Sequence, residues 1–163
     1  MLNGKALVSK TSGHFARVGS SPAPSAKSTQ MSFNYIKALE EWLKLKIILW
    51  TKSNKVIFKQ GEIWWCSLGM NLGEEIFGKG VKFTRPILIF KKFTSNSFLA
   101  LPLTTQKRIG SWYIEVTIHG NNNYIMLNQA RILDKKRLTN RIATLDDSDL
   151  KSVKDGFLNF YRS

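Results

Sequence analysis

The chain has 163 residues, 43% of them hydrophobic, which is enough for a packed core and excludes a globally disordered protein. Its formal net charge is +14. Residues 1–60 hold 10 basic and 2 acidic residues and contribute +8, so residues 61–163 contribute the other +6. A positive field spread over both halves favours polyanionic partners, which include nucleic acid, an anionic membrane and an acidic protein.

Cys66 is the only cysteine, which excludes an intrachain disulfide and a zinc site with four cysteine ligands. It follows Trp64 and Trp65 in an apolar run, where we expect a buried small hydrophobe rather than a reactive thiol. The apolar runs are all shorter than the roughly 18 residues that indicate a membrane span. We therefore expect a soluble, cytoplasmic protein without a membrane partner.

Residues 1–30 are rich in Ser, Ala, Gly and Lys and contain no acid, which predicts a disordered leader and also fits an organelle transit peptide. Residues 31–57 are predicted to form a helix and a connector. The helix is expected because apolar residues recur at intervals of three and four: Ile36, Leu39, Leu43, Ile47 and Trp50. We expect it to dock on its own domain, and a membrane-surface or partner-binding helix is the alternative.

Residues 58–163 are predicted to form one small barrel domain. The run Ile63–Leu68 is too apolar for a half-exposed strand, so we expect it to be buried on both faces or at a dimer contact. Arg85–Phe90 and Phe98–Leu103 have the composition of central strands. Lys91–Asn96 is short and polar, as in a hairpin connection between the last two runs.

The following residues predict further strands and then helix. Trp112–Ile118 alternates as a half-exposed strand, Gly120–Asn123 is expected to be a turn and Tyr124–Leu127 a strand. After Asp134 we expect helical structure: a short turn over 134–138 and a final helix. Its cap is Asp146 or Ser148, and its buried stripe is Leu150, Val153, Phe157 and Phe160. Five or six strands closed by a C-terminal helix form a mainly β fold with α, rather than an alternating βαβ fold.

A candidate site lies where two of these strands end. Arg85 follows the glycine-rich, charged loop 69–84, which carries Lys79 and Lys82 and is either a mobile substrate-covering loop or an ordinary surface connection. Thr104, Thr105 and Gln106 end the third apolar run. If the two strands are neighbours, the arginine and the hydroxyls meet at one rim of the barrel.

Several familiar sites are missing from the sequence. There is no phosphate-binding loop, no dinucleotide-binding glycine motif and no nucleophile elbow, and the two histidines, His14 and His119, have no partners for a zinc site or a catalytic triad. Two basic groups either contact phosphates or form solvated surface: Lys107 and Arg108, and Arg131 with Lys135, Lys136 and Arg137. Aromatic residues available for stacking on unpaired bases are Trp64, Trp65, Trp112 and Tyr113, although most aromatics in such apolar strands are core. These residues indicate a basic barrel suited to single-stranded nucleic acid.

Six stretches in register resemble the PemK/MazF family of type II toxins, from Phe58 to about Phe160. They are GEIWWCSLG, GEE, FTRPILIF, LPLTTQ, LNQARILDKKRL and IATLDDSDLKSVKD. The resemblance implies an SH3-like barrel with a C-terminal helix, usually as a homodimer. It also implies an endoribonuclease that cleaves single-stranded RNA, often mRNA, without a metal or other cofactor, and a cognate antitoxin that occupies the RNA groove.

The resemblance assigns catalytic roles to Arg85, Thr104 and Glu75, and it places Gln129 and Arg131 near the groove. Together with these two, the candidate RNA-binding residues are Gln106, Lys107, Arg108, Lys79 and Lys82. The family's substrate supplies its own nucleophile, the 2′-hydroxyl, so attack on the adjacent phosphate gives a 2′,3′-cyclic phosphate and a 5′-hydroxyl. Two alternatives use the same barrel, a gyrase-poisoning toxin and a non-catalytic nucleic-acid-binding module. The N-terminal helix is expected to pack on the barrel or to extend the dimer contact.

Overall fold

The computed structural model describes residues 26–53 and 55–162, with side chains from Asn34 onward. Within these residues, the chain forms two α-helices and seven β-strands. They are α1 (Ala26–Thr51), β1 (Glu62–Ser67), β2 (Thr84–Lys92), β3 (Ser97–Thr104), β4 (Tyr113–Ile118), β5 (Asn121–Met126), β6 (Arg131–Asp134), β7 (Leu138–Thr144) and α2 (Asp147–Arg162). The predicted fold class, mainly β with a C-terminal helix, is confirmed. No helix in the described ranges is both long enough and apolar enough to cross a membrane.

The strands form one curled antiparallel sheet in the order β4-β5-β3-β2-β1-β7. Strand β3 is the point where the sheet curls, because its first half pairs with β6 and its last residues pair with β5. Its other edge pairs with β2, which in turn pairs with β1. The two strands that carry the candidate site, β2 and β3, are therefore neighbours in the middle of the sheet.

Both faces of the central strands are buried. Along β2, Leu88 packs in a core cluster with α2, whereas Ile87 and Ile89 pack in a second cluster on the opposite face with Cys66 and Phe98. Successive side chains of a strand point to opposite faces, so a strand covered on both sides has a continuous apolar run. The prediction of central strands is confirmed, and so is the buried position of Cys66.

The hairpin between β4 and β5 is tighter than predicted. Its turn consists of His119 and Gly120, whose φ angles of 49° and 75° are both positive. Two residues with positive φ match the right-handed twist of the flanking strands. Asn121–Asn123 therefore belong to β5, where they pair with β4, and the predicted turn over Gly120–Asn123 is wrong beyond its first residue.

The chain after Asp134 was predicted to be helical, and this prediction is wrong for part of it. Lys135–Arg137 form the expected single turn, but Leu138–Thr144 then form β7, which pairs with β1 at the edge of the sheet. The reason is tertiary pairing, since β1 offers a free edge to a segment rich in β-branched residues. Val56–Phe58 lies outside the strands, although Phe58 is buried.

The C-terminal helix agrees with its prediction. The Asp146 carboxylate accepts a hydrogen bond from the backbone N–H of Asp149 at 2.7 Å, which caps the first turn of α2. This bond and one from Ser148 lower the pKa of Asp146. Val153 is fully buried, and the remaining stripe residues Leu150, Phe157 and Phe160 pack against the same core.

Helix α1 docks on the barrel, as expected, but through a different face. The rings of Trp42 and Phe83 meet edge to face at 5.7 Å, and Leu49 is buried beside them. Trp42 lies so close to Gly69 that a Cβ there would be 2.3 Å from its ring. The Lys136 Nζ donates a hydrogen bond to the carbonyl of Trp50 at 2.6 Å, which ties the end of α1 to the barrel.

The helix also begins earlier than predicted. Residues 26–30 were assigned to the leader, but α1 starts at Ala26, two residues after Pro24. The stretch AKSTQ contains neither Gly nor Pro, so no residue in it opposes continuation of the helix. The rest of the predicted leader, residues 1–25, lies outside the described residues.

Candidate active site

The pairing of β2 and β3 places Arg85 opposite Thr104. Ile87 pairs with Pro102 and Leu88 with Leu101, and the same register continued by two positions sets Arg85 against Thr104. Both residues stand at the same rim, because β2 begins at Thr84 and β3 ends at Thr104. The two strand ends predicted to meet at one rim therefore do meet.

The Arg85 side chain is held by backbone carbonyls. Its Nε donates a hydrogen bond to the carbonyl of Phe77 at 3.0 Å, and its Nη1 donates to the carbonyl of Leu103 at 3.4 Å. Nη2 makes no hydrogen bond to the described residues, although a guanidinium carries five N–H donors in a fixed fork. Arg85 is only 9% exposed, and this burial lowers the pKa of its guanidinium. The site thus contains a fixed cation with donors left for a ligand.

Two cavities meet at this residue pair. One has a volume of about 410 Å³ and is bordered by Tyr113 and Arg108. The other has a volume of about 430 Å³ and is bordered by Trp65 and Thr105. Residues lining both cavities are Lys79, Arg85, Thr104 and Gln106. We call the two cavities together the Arg85 groove, and its shared wall carries two cationic side chains, a hydroxyl and an amide.

Thr104 has its hydroxyl oriented by the following turn. Its Oγ1 accepts a hydrogen bond from the backbone N–H of Gln106 at 3.3 Å. The hydroxyl proton is not used in that bond, so Thr104 can donate it to a bound group. The side-chain carbonyl of Gln106 accepts from Arg108 Nη2 at 3.0 Å, which brings the Arg108 guanidinium to the groove.

The loop before Arg85 is fastened by Gln129. The Gln129 Oε1 accepts a hydrogen bond from the backbone N–H of Ile76 at 2.9 Å, and its Nε2 donates to the carbonyl of Glu74 at 3.0 Å. The next residue, Phe77, provides the carbonyl that binds Arg85. Gln129 was predicted as an RNA contact; its amide also holds the loop that orients Arg85.

The structure brings together most but not all of the predicted site residues. Those lining the Arg85 groove are Lys79, Arg85, Thr104, Gln106, Arg108 and Gln129. Glu75 and Arg131 line an adjacent cavity of about 220 Å³. The Glu75 carboxylate accepts a hydrogen bond from the backbone N–H of Leu72 at 3.3 Å. Lys82 and Lys107 are exposed and line none of these three cavities.

Some residues of the groove escaped sequence reasoning. Glu74, rather than Glu75, lines the Arg85 groove, together with Asn128 and the apolar residues Ile76 and Met126. Asn128 directly precedes Gln129 in the sequence, and this position beside a predicted site residue was the signal that could have identified it as a groove residue.

Two members of the basic group after Arg131 have structural partners. The Arg137 Nη1 donates to the carbonyl of Ser67 at 2.9 Å, and its guanidinium lies 5.5 Å from the Trp42 ring. Burial lowers the pKa of Arg137. Lys136 binds the end of α1, as described above. These two cations therefore join the helix to the barrel.

The fold and the groove define a small, basic β-barrel protein with a polar, cationic rim suited to a phosphate chain. The family model described as "PemK-like, MazF-like toxin of type II toxin-antitoxin system" matches residues 59–161. The chain belongs to this family, as its sequence motifs predicted. Helix α1 lies outside the matched residues.

Two relatives illustrate the similarity. The Endoribonuclease EndoA of Bacillus subtilis (strain 168) is 28% identical over 110 residues, which cover 61% of this chain and 90% of that protein. The crystal structure of MazF from Deinococcus radiodurans aligns with a TM-score of 0.52 at 16% identity, covering 67% of this chain and all of that one (100%). The second similarity confirms the fold.

Proposed function

We propose that this protein is a sequence-selective endoribonuclease toxin that cleaves single-stranded RNA, with mRNA as its target. The observation that carries the proposal is the position of Arg85, buried at the rim opposite Thr104 and bound to two backbone carbonyls. Membership of the toxin family and similarity to a protein named as an endoribonuclease support it.

In the proposed reaction, the 2′-hydroxyl oxygen of the RNA attacks the adjacent phosphorus. The P–O5′ bond breaks, the hydroxyl proton is removed and the leaving 5′-oxygen gains a proton. The products are a 2′,3′-cyclic phosphate and a 5′-hydroxyl. The barrier arises from negative charge on the phosphoryl oxygens, and a preorganised donor aimed at such charge contributes roughly 10²- to 10³-fold in rate.

Arg85 is proposed to supply this stabilisation. Its Nη2 has no acceptor among the described residues, and a guanidinium binds phosphoryl oxygens through charge-assisted hydrogen bonds. Thr104 is proposed to donate a hydrogen bond from its hydroxyl group to a phosphoryl oxygen. Its Oγ1 already accepts a hydrogen bond from the backbone N–H of Gln106, which orients the hydroxyl. Burial lowers the pKa of Arg85, which is the direction required of an arginine that takes part in proton transfer.

Two carboxylates compete for the remaining acid–base role. Glu75 is the proposed catalytic residue by family resemblance, and it lies in the cavity beside the groove with Arg131. Glu74 lines the groove itself. On the family resemblance we propose Glu75 as the acid–base residue, and Glu74, which lines the groove, is the matched comparison.

The RNA is proposed to follow the groove along its cations and flat side chains. Lys79 and Arg108 supply phosphate contacts, and Trp65 and Tyr113 supply surfaces for stacking of bases. Lys82, Lys107 and Arg131 are proposed to extend this basic surface beyond the groove. We propose that the reaction proceeds without a metal, because the shared wall of the groove carries cations, a hydroxyl and an amide rather than a set of carboxylates.

The partners follow from the same reasoning. We propose that a cognate antitoxin covers the Arg85 groove, that the barrel forms a homodimer and that the protein acts in the cytoplasm. The family is one of type II toxin–antitoxin systems, and a net charge of +14 favours an acidic protein partner. Residues 58–163 are proposed to form the catalytic unit, with residues 31–57 as an added element.

The direct test is incubation of the purified protein with a long single-stranded RNA in EDTA. The expected result is cleavage at a short sequence, with 2′,3′-cyclic phosphate and 5′-hydroxyl ends. Arg85→Ala should abolish cleavage, whereas Lys154→Ala, which removes an exposed cation from α2, should leave it unchanged. RNA binding without cleavage by the wild type would instead indicate a non-catalytic binding module. Cleavage that requires a divalent metal would contradict the metal-independent reaction.

A further inference from the structure

Helix α1 has more apolar surface than the barrel covers. The face docked on the barrel consists of Ala38, Trp42, Leu45 and Leu49. A second row, which we call the outer stripe, consists of Ile36, Leu39, Leu43, Ile47 and Trp50. These five side chains are between 51% and 78% exposed. At 100° per residue, the two rows are centred roughly 130° apart around the helix.

The outer stripe is a continuous surface rather than scattered exposure. Its five side chains follow one another at intervals of three and four residues, so they lie on one face of the helix over roughly 21 Å. Single exposed apolar residues are ordinary, but a contiguous apolar stripe bordered by charge marks an interaction surface. This stripe also lies outside the residues matched to the toxin family.

We propose that the outer stripe binds the outer stripe of a second copy of this chain, with the two α1 helices antiparallel. The spacing of the stripe is three, four, four and three residues, which is symmetric about Leu43. In an antiparallel pair with its two-fold axis at Leu43, Ile36 therefore lies level with Trp50 of the second copy. Leu39 lies level with Ile47, and Leu43 meets its own equivalent. Such self-complementarity is what an isologous two-fold interface requires.

Charges beside the stripe are compatible with the same arrangement. Glu40 and Lys44 lie on the same side of the outer stripe, one turn apart. In the antiparallel pair, Glu40 of one copy comes within one turn of Lys44 of the other. In the single chain, Lys44 binds the exposed Glu41 at 2.9 Å, and an exposed pair of this kind is weak and easily shared.

The symmetry of the outer stripe favours a second copy over other occupants. A membrane surface or an unrelated polypeptide requires an apolar face but does not require a spacing that is symmetric about Leu43. The proposal does not depend on the catalytic function proposed above.

Cysteine cross-linking of the full chain tests the proposal. Leu43→Cys should form a disulfide-linked dimer under mild oxidation, because position 43 lies on the two-fold axis. Glu41→Cys is the matched control, since it is exposed and about half a turn away from the stripe. The native Cys66 should give no background, because it is fully buried and burial raises its pKa to about 12. Equal cross-linking of both variants would overturn the proposal.

The direction of the pair is tested with two further variants. Ile36→Cys alone should not cross-link, because the two copies of position 36 would be roughly 21 Å apart. A mixture of Ile36→Cys and Trp50→Cys should cross-link. Efficient cross-linking of Ile36→Cys with itself would indicate a parallel pair and contradict the proposal.

The effects of salt and of lipid vesicles distinguish a second copy of the chain from a membrane surface as the occupant of the outer stripe. Cross-linking of Leu43→Cys should increase between 50 and 500 mM NaCl, on the order of two-fold or more, because salt screens repulsion between two basic chains and leaves apolar contacts in place. Failure of Leu43→Cys to cross-link would overturn the proposal. Binding to phosphatidylserine vesicles that is lost in Leu43→Glu, without such a cross-link, would identify a membrane surface instead.

Discussion

The side-chain carbonyl of Gln129 accepts a hydrogen bond from the backbone N–H of Ile76 at 2.9 Å, across 53 residues of chain. With the second bond from its Nε2 to Glu74, this contact fixes the loop segment whose Phe77 carbonyl binds Arg85. Gln129 is therefore expected to act as a positioning residue for Arg85, the proposed catalytic arginine.

Replacement of Gln129 should loosen the loop without unfolding the barrel. Gln129→Ala removes both hydrogen bonds, each with a net value of about 1 kcal/mol, so we expect kcat to fall roughly 10- to 100-fold. Gln129→Glu keeps an acceptor for Ile76 and should lose less. Hydrogen exchange of the Ile76 amide should accelerate in Gln129→Ala. A fall in activity with unchanged exchange would argue for direct RNA contact instead.

Cleavage activity should depend on the hydroxyl group of Thr104 rather than on the shape of its side chain. Thr104→Val keeps the volume and removes the proposed donor, so we expect kcat to fall by roughly 10- to 100-fold. Thr104→Ser keeps the hydroxyl and should retain most of the activity. The measurement is single-turnover cleavage of an RNA oligonucleotide at saturating enzyme. Equal activity of the valine and serine variants would remove Thr104 from the mechanism.

The two loop carboxylates can be separated by amide substitution. If Glu75 transfers a proton, Glu75→Gln should lower kcat, since an amide neither accepts nor releases a proton in the reaction. Glu74→Gln should change KM more than kcat, because Glu74 borders the bound RNA. The opposite result would assign the acid–base role to Glu74, the carboxylate that lines the groove.

Stability at low pH should depend on Glu62. Burial raises the pKa of its carboxyl, but hydrogen bonds from the Lys59 backbone N–H, Trp64 Nε1 and Arg141 Nη1 outweigh burial and lower the pKa below its ordinary value of 4.5. A lowered folded-state pKa contributes stability above 4.5 that is lost as the pH falls through the folded-state value. The free energy of unfolding, measured with urea, should therefore fall less below pH 4.5 in Glu62→Gln than in the wild type. An identical pH dependence in both proteins would contradict this assignment.

The sequence predicted the features that depend on neighbouring residues. The three apolar runs of β1, β2 and β3 were recognisable because both of their faces are buried, and the meeting of Arg85 with Thr104 followed from the ends of two of them. Strand β7 was missed because its partner β1 lies some 75 positions away in the sequence. The hydrogen bonds of Gln129 to the loop were unpredictable for the same reason.

The docked face of helix α1 could not be predicted from the sequence for a different reason. Its two apolar rows have equally good helical spacing, so the sequence alone does not indicate which one docks. Trp42 is buried because Gly69 leaves space for its ring and Phe83 lies beside it, and neither condition is visible in the helix itself. The row whose spacing predicted the helix is the outer stripe, and the structure leaves that row exposed.

We propose that the fixed guanidinium of Arg85 stabilises the charge of the transition state. Arg85→Lys keeps a positive charge but loses the planar fork that binds Phe77 and Leu103. The measurements are the single-turnover cleavage rate of a short RNA and the Kd for the same RNA, each determined for Arg85→Lys and for the wild type. We predict a fall of roughly 10²- to 10³-fold in the cleavage rate with a change in Kd of about three-fold or less. An Arg85→Lys variant that cleaves at close to the wild-type rate would contradict this role of the Arg85 guanidinium.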